Sequence, residues 1–180
     1  MSNDFVKKYN LVDPSHPLLQ TKLPKFDFNN PPVDPVELAQ DLLAHMRYYK
    51  GIGLSANQLG LPYRAFAMEG APGFVCFNPV ITASGDEDVV LDEGCLTFPG
   101  LFLKVKRPQT IRVRFQDPYG NPCIKKFTGM TSRVFQHEFE HMEGDVFVNN
   151  VSQLVYTRAK EKQRKLLRKL RQEQKRQANG

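Results

Sequence analysis

His137-Glu138-Phe139-Glu140-His141 sets two imidazoles four residues apart, with a carboxylate beside the first. On a helix, residues i and i+4 share one face, so both rings can reach a single metal ion. Glu138 then stands next to water polarised by that ion, where it can accept a proton and later return it. A catalytic site of this kind takes three protein ligands and keeps one position open. Cys95, in Glu93-Gly94-Cys95-Leu96, is the best third candidate. The other histidines, His16 and His45, lie far upstream without ligand spacing, and Glu161 and Glu173 stand in a heavily charged segment. The implied chemistry is metal-assisted attack of water on a carbonyl. A purely structural metal site, as in a non-enzymatic RNA- or ribosome-binding protein, would fill four protein positions and need no poised base.

The H-E-x-x-H pattern is shared with zincin metalloendopeptidases, which supply the alternative reading. In the metzincin branch a glycine and a third histidine follow. Gly144 keeps that spacing here, but Phe147 occupies the third-ligand position.

The metal-bearing segment must itself be positioned. Its periodicity predicts a helix from about Thr128 to Glu143, stopped by Gly144. Met130, Val134, His137 and His141 fall on one face; Phe135, Phe139 and Met142 form a second apolar stripe. A helix apolar on two faces is buried in the middle of a domain. A first helix starts after Asp34, with Pro35 at N1, Glu37 at N3 completing a capping box, and Gly51 as the stop. His45 on that helix reads as a packing or surface residue. Strand-like runs at 63–68, 74–81, 88–92 and 110–116 are separated by turn signals, including Ala71-Pro72-Gly73. Ile111, Val113 and Phe115 alternate with Arg112 and Arg114, as in a half-exposed strand. Residues 1–33, rich in proline, read as an extended arm wrapped on the body. The fold class is α+β: small antiparallel or mixed sheets around a central metal-binding helix, with a basic helix at the C-terminus.

The 180 residues suit one domain with an appended tail: a catalytic body over 1–156 and a helical tail over 157–180. The net charge of +6 is unevenly placed. Residues 158–176 hold ten basic and two acidic side chains, a local +8 that leaves −2 for the rest. Leu166, Leu167 and Leu170 give that tail a narrow apolar spot. No apolar run approaches the roughly 20 residues that span a bilayer, and residues 1–8 carry no apolar signal stretch. Three sparse cysteines, Cys76, Cys95 and Cys123, make no disulfide framework and suit a reducing cytoplasm. Cys76 and Cys123 read as structural.

Three segments together resemble the peptide deformylase family. Gly51-Ile52-Gly53-Leu54-Ser55-Ala56-Asn57-Gln58 is similar to its G-x-G-L-A-A-x-Q motif. Glu93-Gly94-Cys95-Leu96-Thr97 is similar to E-G-C-L-S, and Gln136 to Gly144 to Q-H-E-x-D-H-L-x-G. Order and spacing match over roughly residues 10–155. The resemblance implies removal of the formyl group from the N-terminal formylmethionine of nascent peptides. It implies Fe²⁺, replaceable by Zn²⁺, Ni²⁺ or Co²⁺, on Cys95, His137 and His141, with Glu138 as general base and acid. It further implies an oxyanion hole from the Gln58 amide and the Leu96 N–H. Ile52, Gly53 and Gly94 would bind substrate, and Ile52, Met130, Arg133, Val134 and His137 would line the methionine pocket, Arg133 through its apolar stem. Bacterial members use a C-terminal helix near the ribosomal exit tunnel, so the basic tail implies ribosomal RNA as a partner. Ser55, Asn57, Thr97, Phe102, Glu140 and Met142 depart from the family pattern, none at a ligand, the base or Gln58. Glu140 is a candidate partner for Arg107 that would orient the metal helix.

Overall fold

A computed structural model describes residues 7–70 and 73–178. The Ala71-Pro72 part of the expected turn and residues 1–6 of the arm lie outside the described residues. Helix α1 spans Pro35–Tyr48, α2 Gly129–Glu143 and α3 Gln153–Ala178. Five strands form one antiparallel sheet in the order β1 (Gly53–Ser55), β2 (Ala65–Met68), β3 (Phe74–Ser84), β6 (Thr110–Gln116), β7 (Pro122–Thr128). Strands β4 (Asp88–Cys95) and β5 (Phe98–Pro108) form a separate antiparallel hairpin. Every strand pair among the described residues is antiparallel, so the expected small sheets are present without a mixed one.

The large sheet is covered on both faces, and β2 shows why. All four of its residues are buried. Ala65 and Ala67 join Leu38, Leu42 and Met46 of α1, whereas Phe66 and Met68 join Phe135 and Met142 of α2. Small residues meet one helix and large ones the other, the two faces alternating with the pleat. Phe66 and Phe135 meet edge to face at 5.1 Å. Helix α2 therefore lies between the sheet and the β4–β5 hairpin, as its two apolar stripes require.

Helix ends differ from expectation in detail. The Asp34 carboxylate accepts from the Val36 and Glu37 N–H groups. Glu37, however, ion-pairs with Lys8 of the arm and does not close a capping box. The stop of α1 falls one residue early. Lys50, at φ 57°, takes the left-handed position, and the Lys50 and Gly51 N–H groups bond the Arg47 and Met46 carbonyls. Gly144 ends α2 at φ 75° as expected. His45 is buried, with Nε2 accepting from the Tyr9 N–H and Nδ1 near the Asp41 carbonyl, so it packs the arm onto α1. Leu19, Leu23 and Phe26 bury the arm further along.

Three strands, β1, β5 and β7, were not expected from the sequence. Strand β5 buries Leu101, Leu103, Val105 and Arg107 and exposes Phe102, Lys104 and Lys106, a clean period of two flanked by prolines. Strand β7 is an edge with little alternation, and its exposed Lys125 and Lys126 suit that position. Helix α3 runs without a break through the boundary expected at 156/157. No helix among the described residues is long and apolar enough to cross a membrane.

Candidate active site

Helix α2 and the turn joining β4 to β5 build the site. Cys95 ends β4 beside an irregularity: Gly94 pairs with Phe102 but Cys95 with Phe98, so residues 99–101 bulge out of the register. Bulges re-aim side chains, and this one turns Cys95 toward α2. One donor atom each from Cys95, His137 and His141 lies within 4.8 Å of the others. Cys95 Sγ and His141 Nε2 are 3.5 Å apart. Zinc-like bonds of about 2.0–2.3 Å in a tetrahedron separate neighbouring ligands by roughly 3.5 Å, so the Cys95–His141 pair already has ligand spacing and His137 lies close by. The three residues form a metal site.

Charge around the cluster points the same way. Burial disfavours a proton on either imidazole, yet the thiol of Cys95 and the carboxylate of Glu93 raise His137 well above its ordinary value. Burial and the neighbouring His137 push His141 down. The neighbours that favour a positive charge on His137, Cys95 and Glu93, would equally favour a bound cation. Glu93 Oε2 lies 3.2 Å from His137 Nδ1, leaving Nε2 to face the cluster. Glu93 also accepts from Arg107 Nε at 2.6 Å and Nη2 at 2.9 Å, and from Arg133. Arg107 Nη2 reaches on to Glu140 Oε2 at 2.9 Å. Two arginines and two glutamates cancel, so the set ties hairpin to helix with little net charge.

Glu138 is 4 % exposed, and its Oε2 has no hydrogen-bond partner. Burial pushes this carboxyl up to about 7, against the lowering effect of the His137 charge. A Cβ on Gly53 would collide with the Glu138 carboxylate and come within 2.9 Å of Val134 Cγ1, so only glycine lets strand β1 approach the base.

Gln58 is locked by its neighbours. Its Oε1 accepts from the Ser55 N–H and hydroxyl, both at 3.0 Å. Its Nε2 consequently points to Cys95 Sγ at 3.3 Å and Thr97 Oγ1 at 3.0 Å. Leu96 falls in the turn between β4 and β5, outside their paired register.

These groups line a pocket of about 460 Å³. Gln58, Cys95, Leu96, His137 and Glu138 line it together with Ile52, Gly53, Gly94, Met130, Arg133 and Val134. His141 alone among the expected site residues is outside the lining, buried behind Cys95.

A family model for polypeptide deformylases matches residues 8–156. The chain belongs to this family. A deformylase of Prochlorococcus marinus (strain MIT 9515) is 38% identical over 126 residues, covering 67% of this chain and 62% of the relative. The chain thus spans about three fifths of that relative's length. The Thermotoga maritima deformylase structure superimposes with a TM-score of 0.72 at 32% identity, over 80% of this chain and 97% of that one. A Synechococcus elongatus deformylase, solved with actinonin, gives 0.80 at 27% identity, over 87% and 88%.

Positions where this chain departs from the family motifs have visible work. Ser55 orients Gln58. Asn57 Nδ2 donates to the His141 carbonyl at 2.7 Å and to the Leu18 carbonyl at 3.1 Å, tying the first motif and the arm to the ligand helix. Arg64 and the Leu23 N–H reach the Met142 carbonyl beside it. Glu140 pairs with Arg107, as the sequence suggested. Arg133 offers more than an apolar stem: its guanidinium bonds Glu93 and the Val105 and Val89 carbonyls. The role of Glu93 went unread, although a carboxylate behind a metal-binding histidine is a common arrangement. Lys50, Asp92, Pro99 and Gly100 also line the pocket and carried no signal in spacing.

Proposed function

We propose that this chain is a metal-dependent peptide deformylase, removing the formyl group from the N-terminal formylmethionine of nascent peptides in a bacterial-type cytoplasm. The observation that carries this reading is the joining of the Cys95–His137–His141 cluster to a buried, half-unpartnered Glu138 at the wall of a peptide-sized pocket. The metalloendopeptidase alternative loses its support to the family match and the cysteine ligand.

Cys95, His137 and His141 would hold Fe²⁺, with Zn²⁺, Ni²⁺ or Co²⁺ as substitutes; a thiolate with two imidazoles suits borderline to soft divalent ions. A divalent ion there supplies Lewis acidity, polarising the carbonyl and acidifying water. Glu138, raised to about 7, takes the water proton at Oε2 and delivers it to the departing amine. Nearby positive charge favours its ionised form, which readies it as a base. The Gln58 amide and the Leu96 N–H donate to the oxygen that gains charge, and both are fixed before the reaction. Ile52 and Gly53 hold the peptide backbone in extended form. Met130, Val134 and the Arg133 stem receive the methionine side chain. The exposed basic face of α3 engages ribosomal RNA.

Release of free amine from formyl-Met-Ala-Ser by Fe²⁺-loaded protein, kept anaerobic, tests the reading. Chelator-sensitive release is expected. Cleavage within an unformylated peptide, or no release with metal bound, would overturn it.

A further inference from the structure

We infer that helix α3 is structural support for the active-site wall, with Gln163 the positioning residue that sets where the Pro99–Gly100 segment meets the peptide. The direction of the peptide in this inference rests on the deformylase reading.

Gln163 is the one buried side chain among those described on α3, at 7 % exposure. On a surface helix that position is ordinarily apolar. Here Leu166 and Leu170 are 40 % and 44 % exposed while an amide goes inside. A buried amide costs stability unless it is bonded. Gln163 Nε2 donates to the Pro99 carbonyl at 2.7 Å.

That carbonyl lies in the bulge that follows the Cys95–Phe98 pair, where residues 99–101 have no partner in the strand register. A proline lacks the N–H that could anchor it from the other side. Gly100, at φ 72°, offers no side chain either. A Cβ built on it would point at Leu166 Cδ2, 3.4 Å away, and Leu167 Cδ2, 3.7 Å away. One side of the bulge therefore rests on α3. Its other side, through Pro99, Gly100 and Phe102, lines the pocket in continuity with Cys95 and Leu96. Earlier in α3, Tyr156 and Ala159 pack on the cluster of Phe98, Leu101 and Phe147, which seats the helix on the same strand.

Helix and bulge thus form one unit across the boundary that charge alone suggested. Losing the Gln163 donor frees the bulge without touching ligand, base or oxyanion donors. The effect belongs on binding of peptide residues beyond the methionine, so on KM for longer substrates and not on kcat.

The test uses the full chain with Gln163→Leu, which keeps bulk and removes the donor, and Leu170→Ala as a control on the same helix away from the pocket. For Gln163→Leu, KM for formyl-Met-Ala-Ser should rise at least threefold with kcat within twofold, and KM for formyl-Met-Ala should rise less. Amide hydrogen exchange should quicken at Gly100–Leu103 and stay unchanged in α2. Leu170→Ala, at an exposed position, should leave KM and exchange unchanged. A KM within twofold of the parent, or an equal KM rise in Leu170→Ala, overturns the inference. If the parent protein releases no amine, the deformylase reading fails; exchange at Gly100–Leu103 then decides the wall's dependence on Gln163 by itself, and unchanged exchange overturns it.

Discussion

Burying Glu138 costs stability at any pH where it is ionised. Its carboxyl sits at about 7 in the fold against an ordinary 4.5. A raised acid makes the folded state bind the proton more tightly than the unfolded chain. Stability of the metal-free protein therefore falls as pH rises from about 4.5 and reaches its full loss above 7. Glu138→Gln should remove that slope and stabilise the metal-free protein at pH 8 by on the order of 1–3 kcal/mol. The same change should retain the metal and abolish amine release. Thermal unfolding at pH 5 and pH 8 checks the first part and metal analysis the second; an unchanged pH slope would show that the carboxylate is not buried as described. Cys95→Ser replaces a thiolate with a weak hydroxyl ligand. Fe²⁺ affinity, read by competition with a chelator, should fall at least tenfold, and retained affinity would remove Cys95 from the ligand set. At this scale the sequence was informative because ligand chemistry is scarce: few residue types bind metal, and their spacing must suit a helix. Ser55 and Glu93 act through a hydrogen-bonded neighbour, and such roles leave no trace in spacing.

Elements place those residues through a few long-range ties, and the densest is the Glu93 set between hairpin and α2. Burial would raise the Glu93 carboxyl, but hydrogen bonds from His137 and Arg107 outweigh it and hold the group at about 2. A lowered acid stabilises the fold fully above its ordinary 4.5 and loses that contribution as pH falls toward 2. Circular dichroism during acid titration should therefore show a transition in that window. Glu93→Gln should flatten it while lowering stability at pH 7 by about 3–5 kcal/mol, since Arg107 and Arg133 keep buried charges with a weaker partner. An acid limb identical to the parent's would assign the transition to other carboxylates. The two long helices were readable because apolar periodicity and caps agree: Asp34 and Gly144 fall where their types demand. Strand β5 had the pattern too, but prolines at 99 and 108 and lysines on its outer face masked it. Strand β7, an edge, buries too little to alternate.

Across the whole molecule, charge and shape separate what composition merges. The body is near neutral, while α3 carries the +8 segment, and beyond Leu167 every described side chain is exposed. Charge alone suggested an appended tail; packing shows that Tyr156, Ala159 and Gln163 face the β5 strand while Arg158 and Lys162 between them already stand exposed. Tertiary contact of this kind is invisible in a linear pattern, because one buried glutamine among lysines reads as a solvated face. The division predicts two separable effects. Replacing Arg168, Arg171, Lys175 and Arg176 with glutamine leaves the Gln163 contact intact, so turnover of free formylated peptides should be unchanged. Binding to ribosomes should weaken and lose salt sensitivity, since each phosphate contact adds about 0.7–0.9 to the slope of log K against log salt. Four lost contacts should reduce that slope by roughly 3. Sedimentation with ribosomes at several salt concentrations measures it. An unaltered slope would place ribosome contact on another surface, and a loss of peptide turnover would mean that the free end of α3 also reaches the site.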